Sequence, residues 1–208
     1  MTSERIRFLA LGDSYTIGAD VLPDQRWPNQ LVDMLRTQGV EISNPTIIAQ
    51  NGWTTRDLLK AINETDYTGS FNLVSLQIGV NNQYQGLALR KYRQEFKSLL
   101  LHAARLAGGS PASVLVLSIP DWGVTPFAAG RDTARIRAEI DAFNTENYLE
   151  TQLVGARYVD ITRISLRAGL DKSLLAEDGL HPSGKLYADW AALAYPSAYE
   201  ILQQDVAP

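Results

Sequence analysis

The chain contains no cysteine. That excludes disulfides, a thiolate nucleophile and any cysteine-ligated metal. Histidine is nearly as scarce: His102 and His181 are the only two in 208 residues, too few for a multi-histidine metal site. Basic residues do not dominate either. Nineteen Lys and Arg stand against 23 Asp and Glu, a net charge of −4, so no basic field draws a phosphate backbone and nucleic acid is not an expected partner. No apolar run approaches the ~20 residues that span a bilayer. Repeats, low-complexity tracts, charge blocks, long linkers and a Gly-rich phosphate loop are all missing. No cofactor and no metal are expected.

What remains is an ordinary soluble composition, 45% hydrophobic and 20% charged, in a length that fits one domain over residues 1–208. Residues 1–5 run into the first apolar segment with no leader-like stretch. Read as a whole chain, that predicts a cytoplasmic protein; a leader trimmed beforehand would instead point to a secreted or periplasmic one.

Apolar runs alternate with helical patterns along the whole length. Strands are expected over 6–11, 42–49, 71–78, 113–119 and 157–161, with Pro45 marking the second as an edge or interrupted strand. Helices are expected over 27–37, with Leu31, Met34 and Leu35 on one face, and over 54–62, capped by Thr54 or Thr55. Longer ones follow over 87–106, closed by Gly108 and Gly109, over 131–153, and over 183–203 with an interruption at Pro196. Strands separated by helices predict a parallel sheet covered on both faces, with right-handed connections. The fold class is α/β, a three-layer α/β/α sandwich on a flavodoxin-like parallel sheet of about five strands. The stretch 120–130, after the clearest buried strand, is a loop.

Polar signals sit where three strands end. Asp13-Ser14 follows the first, Asn51-Gly52-Trp53 the second and Gly79-Val80-Asn81-Asn82 the third. Asp178-Gly179-Leu180-His181 precedes the last helix. In a doubly wound sheet such sites meet in one crevice. A serine, a histidine and an aspartate brought together make an activated nucleophile, because a hydroxyl needs a base within ~2.6–3.2 Å and a neutral imidazole suits that role near pH 7. Each residue also has a plain reading. Asp, Ser and Asn favour turns whatever the function, and His181 before Pro182 can serve as a helix entry.

In order and spacing, Gly12-Asp13-Ser14, Gly52, Gly79-x-Asn81 and Asp178-x-x-His181 resemble the four blocks of the SGNH hydrolases, the GDSL esterase/lipase family. Two positions depart from the usual pattern. Tyr15 stands where an aliphatic residue is common, and Asn82 where the third block often carries Asp. The resemblance implies Ser14 as nucleophile, His181 as general base and Asp178 as the partner that orients the imidazole. It implies an oxyanion hole from the backbone N–H groups of Ser14 and Gly52 and the side-chain amide of Asn81. It also implies a small-molecule ester as partner. With no insertion large enough for a lid, small or short-chain acyl (acetyl-type) esters are the expected substrates. Acyl transfer to a sugar or alcohol acceptor, and a non-catalytic carbohydrate-binding domain on the same scaffold, are the alternatives.

Asp13 and Asn82 are expected to brace their turns rather than to react. His102, inside a long helix, is expected to be a bystander. Tyr15, Trp53, Tyr84 and Trp122 are candidates for the substrate pocket.

Overall fold

The computed structural model describes residues 5–204. The lead-in over residues 1–4, and with it the reading of the N-terminus, lies outside the described residues. The first strand, β1 (Phe8–Gly12), is followed by α1 (Ser14–Ile17) and α2 (Trp27–Thr37). Then come β2 (Thr46–Ala49), α3 (Thr55–Glu64), β3 (Leu73–Gln77), α4 (Val80–Tyr84) and α5 (Leu89–Leu106). The second half holds β4 (Val114–Leu117), α6 (Thr133–Val154), β5 (Arg157–Val159), α7 (Thr162–Ser165) and α8 (Gly184–Gln204).

All strand pairs are parallel, in the order β2-β1-β3-β4-β5. β1, β3 and β4 are buried along their whole length, as a sheet covered on both faces requires. α2 packs with α8, while α5 packs with α3 and α6, completing the three layers. The second strand is shorter than the sequence predicts: only Thr46–Ala49 pair fully, and Ile42 makes an isolated bridge to Ile6. It lies at the sheet edge, where Pro45 costs no ladder bond.

Two further features depart from the sequence expectation. α8 runs through Pro196 without interruption. The ring removes the bond to the carbonyl of Ala192, but Ala192 and Pro196 are both exposed, so water can take that oxygen. Ala194, Ala198, Ile201 and Leu202 meanwhile hold the other face in the core. The strand end at Ser14 is a one-turn helix rather than a bare turn. Among the described residues, no helix is long and apolar enough to cross a membrane.

The chain passes from β1 outward to β2 and then back across to β3. The carboxyl ends of β1 and β3 therefore flank the point where the winding reverses, the usual place for a crevice in such a sheet.

Candidate active site

Gly12 lets the chain turn at the end of β1. A Cβ there would stand 2.1 Å from Thr16 Oγ1 and 2.6 Å from the Gln77 carbonyl oxygen. Asp13 then caps α1, its Oδ1 accepting the Tyr15 N–H at 3.0 Å. Asp13 is buried, and burial pushes its carboxyl up to about 7 against the backbone bonds that lower it. Ser14 opens α1 and lines a cleft of about 170 Å³.

His181 lines the same cleft. The loop that carries it is held on both flanks: Ala176 N–H donates to the His181 carbonyl and Ser183 N–H to that of Leu174, each at 2.8 Å. Asp178 grips the histidine by two routes. Its Oδ2 lies 2.5 Å from Nδ1, and its Oδ1 accepts the N–H groups of Leu180 and His181, both at 2.9 Å. Partial burial pushes the Asp178 carboxyl up. The bonds from the imidazole and the two amides outweigh that and hold it below the usual carboxylate range. This bond to Nδ1 leaves Nε2 as the ring nitrogen for a reacting proton. Neither Ser14 Oγ nor Nε2 is engaged by another described residue. The Tyr15 ring, buried under the site, packs 5.4 Å from the imidazole and 5.9 Å from Trp190.

Gly79 ends β3 at φ +130°. A Cβ there would meet Tyr92 Oη at 2.4 Å, so both the backbone angle and the space call for glycine. The turn delivers Asn81, whose Nδ2 donates to the Trp53 carbonyl at 2.9 Å. One amide hydrogen remains for the cleft, which Asn81 lines with Asn51 and Gly52. Asn82 points away from the cleft's chemistry: it is buried and bonded to Thr55 through both ends of its amide.

Ser14, Gly52, Asn81 and His181 thus share one cleft, with Asp178 behind the histidine. Of the pocket candidates, Tyr15, Tyr84 and Trp122 line it. Trp53 does not. Its side chain packs, partly buried, against the core, and its contribution is the carbonyl that holds Asn81. His102 lies away on α5, with Nδ1 against the Ser98 carbonyl and Nε2 against Asn63.

Three apolar lining residues escape a reading of the sequence: Val80, Phe127 and Leu180. Val80 and Leu180 lie inside two of the motif blocks, and Phe127 lies in the loop after β4, so proximity to those segments is the available signal. Asp20 escapes it too. It adopts φ +59° and brings a carboxylate to within 4.8 Å of ligand-type atoms of Asp178 and His181. A hydrogen bond with Asp178, reinforced by that group's charge, pushes the Asp20 carboxyl up. These three groups come near a metal-ligand set, but both Asp178 oxygens are already engaged.

Over residues 10–188 the sequence matches the GDSL-like Lipase/Acylhydrolase family. No curated protein matches it. Among solved structures, TesA superposes with a TM-score of 0.71 at 19% identity, covering 94% of this chain and 99% of that one. A variant of Axe2, an acetyl-xylooligosaccharide esterase from Geobacillus, gives 0.72 at 19% identity, with 95% and 96% covered. The lipase/acylhydrolase from Enterococcus faecalis gives 0.68 at 19%, with 96% of each covered. At such identities the likeness is one of fold.

Proposed function

The chain belongs to the GDSL-like lipase/acylhydrolase family, and from that membership as a carboxylic ester hydrolase we propose that it works through an acyl-enzyme on Ser14, on small or short-chain acyl esters. The observation that carries this reading is the Asp178–His181 pair, bonded at 2.5 Å, in one cleft with Ser14.

His181 Nε2 takes the Ser14 proton as Oγ bonds to the ester carbonyl carbon. The carbonyl π pair moves onto oxygen, which receives hydrogen bonds from the N–H groups of Ser14 and Gly52 and from the free hydrogen of the Asn81 amide. Asp178 accepts the Nδ1–H and stabilises the imidazolium. When the intermediate collapses, the bond to the alcohol oxygen breaks and the alcohol leaves with the proton from His181. Water then adds to the acyl carbon while Nε2 takes its proton, and Ser14 Oγ departs and regains that proton. The products are a carboxylic acid and an alcohol.

The size of the cleft supports a small acyl group. About 170 Å³ is comparable to an apolar cavity of roughly 150 Å³ that holds one benzene. The structural likeness to Axe2, an acetyl-xylooligosaccharide esterase, points the same way. Hydrolysis of p-nitrophenyl esters from acetate to palmitate, with wild type beside Ser14→Ala, tests both parts. The expected result is a maximum at short chains that the variant loses. Equal rates in the two proteins overturn the nucleophile, and a maximum at long chains overturns the substrate size.

A further inference from the structure

Tyr84, Trp122 and Phe127 make the aromatic side of the cleft, their ring centroids 5.5–6.1 Å from one another. One cation is shared by all three. The Arg131 guanidinium carbon lies 5.2 Å from the Tyr84 centroid, 5.4 Å from Trp122 and 5.3 Å from Phe127, within the range of cation–π attraction. Its Nη2 also donates to the Tyr84 hydroxyl at 3.2 Å.

The platform beneath it is braced. Trp122 Nε1 donates to Gln83 Oε1 at 2.8 Å, Gln83 Nε2 donates to Glu139 Oε2 at 2.8 Å, and Arg135 pairs with Glu139 at 2.7 Å. Arg137, on the same helix, pairs with the buried Asp121 at 3.0 Å. All three arginines are exposed, but Arg131 differs from these neighbours in having no carboxylate partner among the described residues. Of its five N–H donors, one is used.

We infer that Arg131 is a specificity-determining residue that selects esters bearing an anionic group, a carboxylate or a phosphate, away from the scissile bond. This rests on the ester-hydrolase reading of Ser14 and His181 and adds the class of substrate. A guanidinium fork takes a carboxylate or phosphate through parallel N–H···O bonds. Held by three rings, it has already lost much of the freedom that binding would otherwise remove. The charge layout gives the anion a direction. Asp20 and Asp178 gather at the imidazole and repel an anion there, whereas Arg131 attracts it at the aromatic side.

The anion can sit on either half of the ester, so two matched pairs are needed. Mono-p-nitrophenyl glutarate against its methyl ester places the charge on the acyl side. Para-acetoxybenzoate against methyl para-acetoxybenzoate places it on the alcohol side. Wild type is expected to favour the anionic member of one pair, less so as salt rises. Arg131→Gln should lower the anionic-to-neutral ratio of kcat/KM in that pair by about tenfold, chiefly through KM, and Arg131→Lys should retain part of it. A ratio that is the same in wild type and Arg131→Gln for both pairs overturns the inference and leaves Arg131 as a brace for the loop, even where the neutral esters still turn over on Ser14. No turnover of any ester overturns the hydrolase reading itself, and this inference with it.

Discussion

Asn82 and Thr55 clasp each other twice: the Thr55 backbone N–H donates to Asn82 Oδ1 at 3.0 Å, and Asn82 Nδ2 donates to the Thr55 hydroxyl at 2.7 Å. Both are buried. The clasp ties α4 to the start of α3, and so ties Asn81 to the segment holding Gly52; the bond from Asn81 to the Trp53 carbonyl is the third stitch. It also explains an amide where the SGNH pattern often has an acid. Because Asn82 donates to the Thr55 oxygen, the single hydroxyl proton stays free for Glu95 Oε2, 2.5 Å away.

Asn82→Asp should therefore destabilise the fold. A carboxylate at this position only accepts, so it and Glu95 would compete for one proton in a buried setting. The expected cost is about 1–3 kcal/mol, larger where both carboxyls are ionised, and read by urea unfolding. Adding Glu95→Gln should recover part of it by removing one charge. Unchanged stability in Asn82→Asp would mean that the donor end of the amide contributes nothing.

Asn81→Ala should lower kcat by about 10²–10³ with a smaller change in KM, because an oxyanion donor acts on charge that develops in the transition state. Steady-state kinetics on a short-chain ester read the split. A rise in KM at constant kcat would assign Asn81 to ground-state binding.

Much of this is legible in the sequence for a physical reason. The α2 helix falls at 27–37 as expected, because Pro28 in its first turn and the apolar spacing of Leu31 and Leu35 set it locally. β1, β3 and β4 are marked by apolar runs that a doubly covered sheet requires. The order of the motif blocks brings Ser14, Gly52, Asn81 and His181 to one crevice once the sheet is parallel. What is illegible depends on tertiary contact. Trp53 turns its carbonyl to Asn81 and packs its ring against the core, a choice that the residue type does not announce. Asp20 reaches Asp178 through a left-handed backbone angle that no local pattern announces. Pro196 is accommodated in its helix where Ala192 is exposed and the opposite face is held in the core.

Two glycines of the site should respond differently to alanine. In Gly79→Ala the new methyl meets Tyr92 Oη at 2.4 Å and Ile119 Cδ1 at 2.8 Å, at a φ of +130°. A loss of about 3 kcal/mol or more is expected from the clash and the backbone together. In Gly52→Ala the methyl meets nothing within 4 Å, at φ +81°. Only the backbone term of about 1–2 kcal/mol remains, while activity falls because Gly52 lines the cleft. Thermal unfolding beside ester turnover separates the two. Equal melting temperatures for both variants would refute the contrast.

Asp13 gives the fold a pH dependence that can be removed without removing the cap. The side chain is buried, and burial pushes its carboxyl up to about 7. Unfolded, an aspartate titrates near 3.9. Between those values the folded chain keeps a proton that the unfolded chain has lost, so stability falls as pH rises. The contribution is fully present below the unfolded value and is lost as pH climbs through about 7. Asp13→Asn keeps an oxygen to accept the Tyr15 N–H and cannot ionise. Melting curves from about pH 4 to about pH 8 should show wild type losing stability across that window. The variant should lose less, and its advantage over wild type should be greatest at the alkaline end. Parallel curves for the two proteins would mean that Asp13 is ionised in the fold throughout, compensated by its backbone bonds.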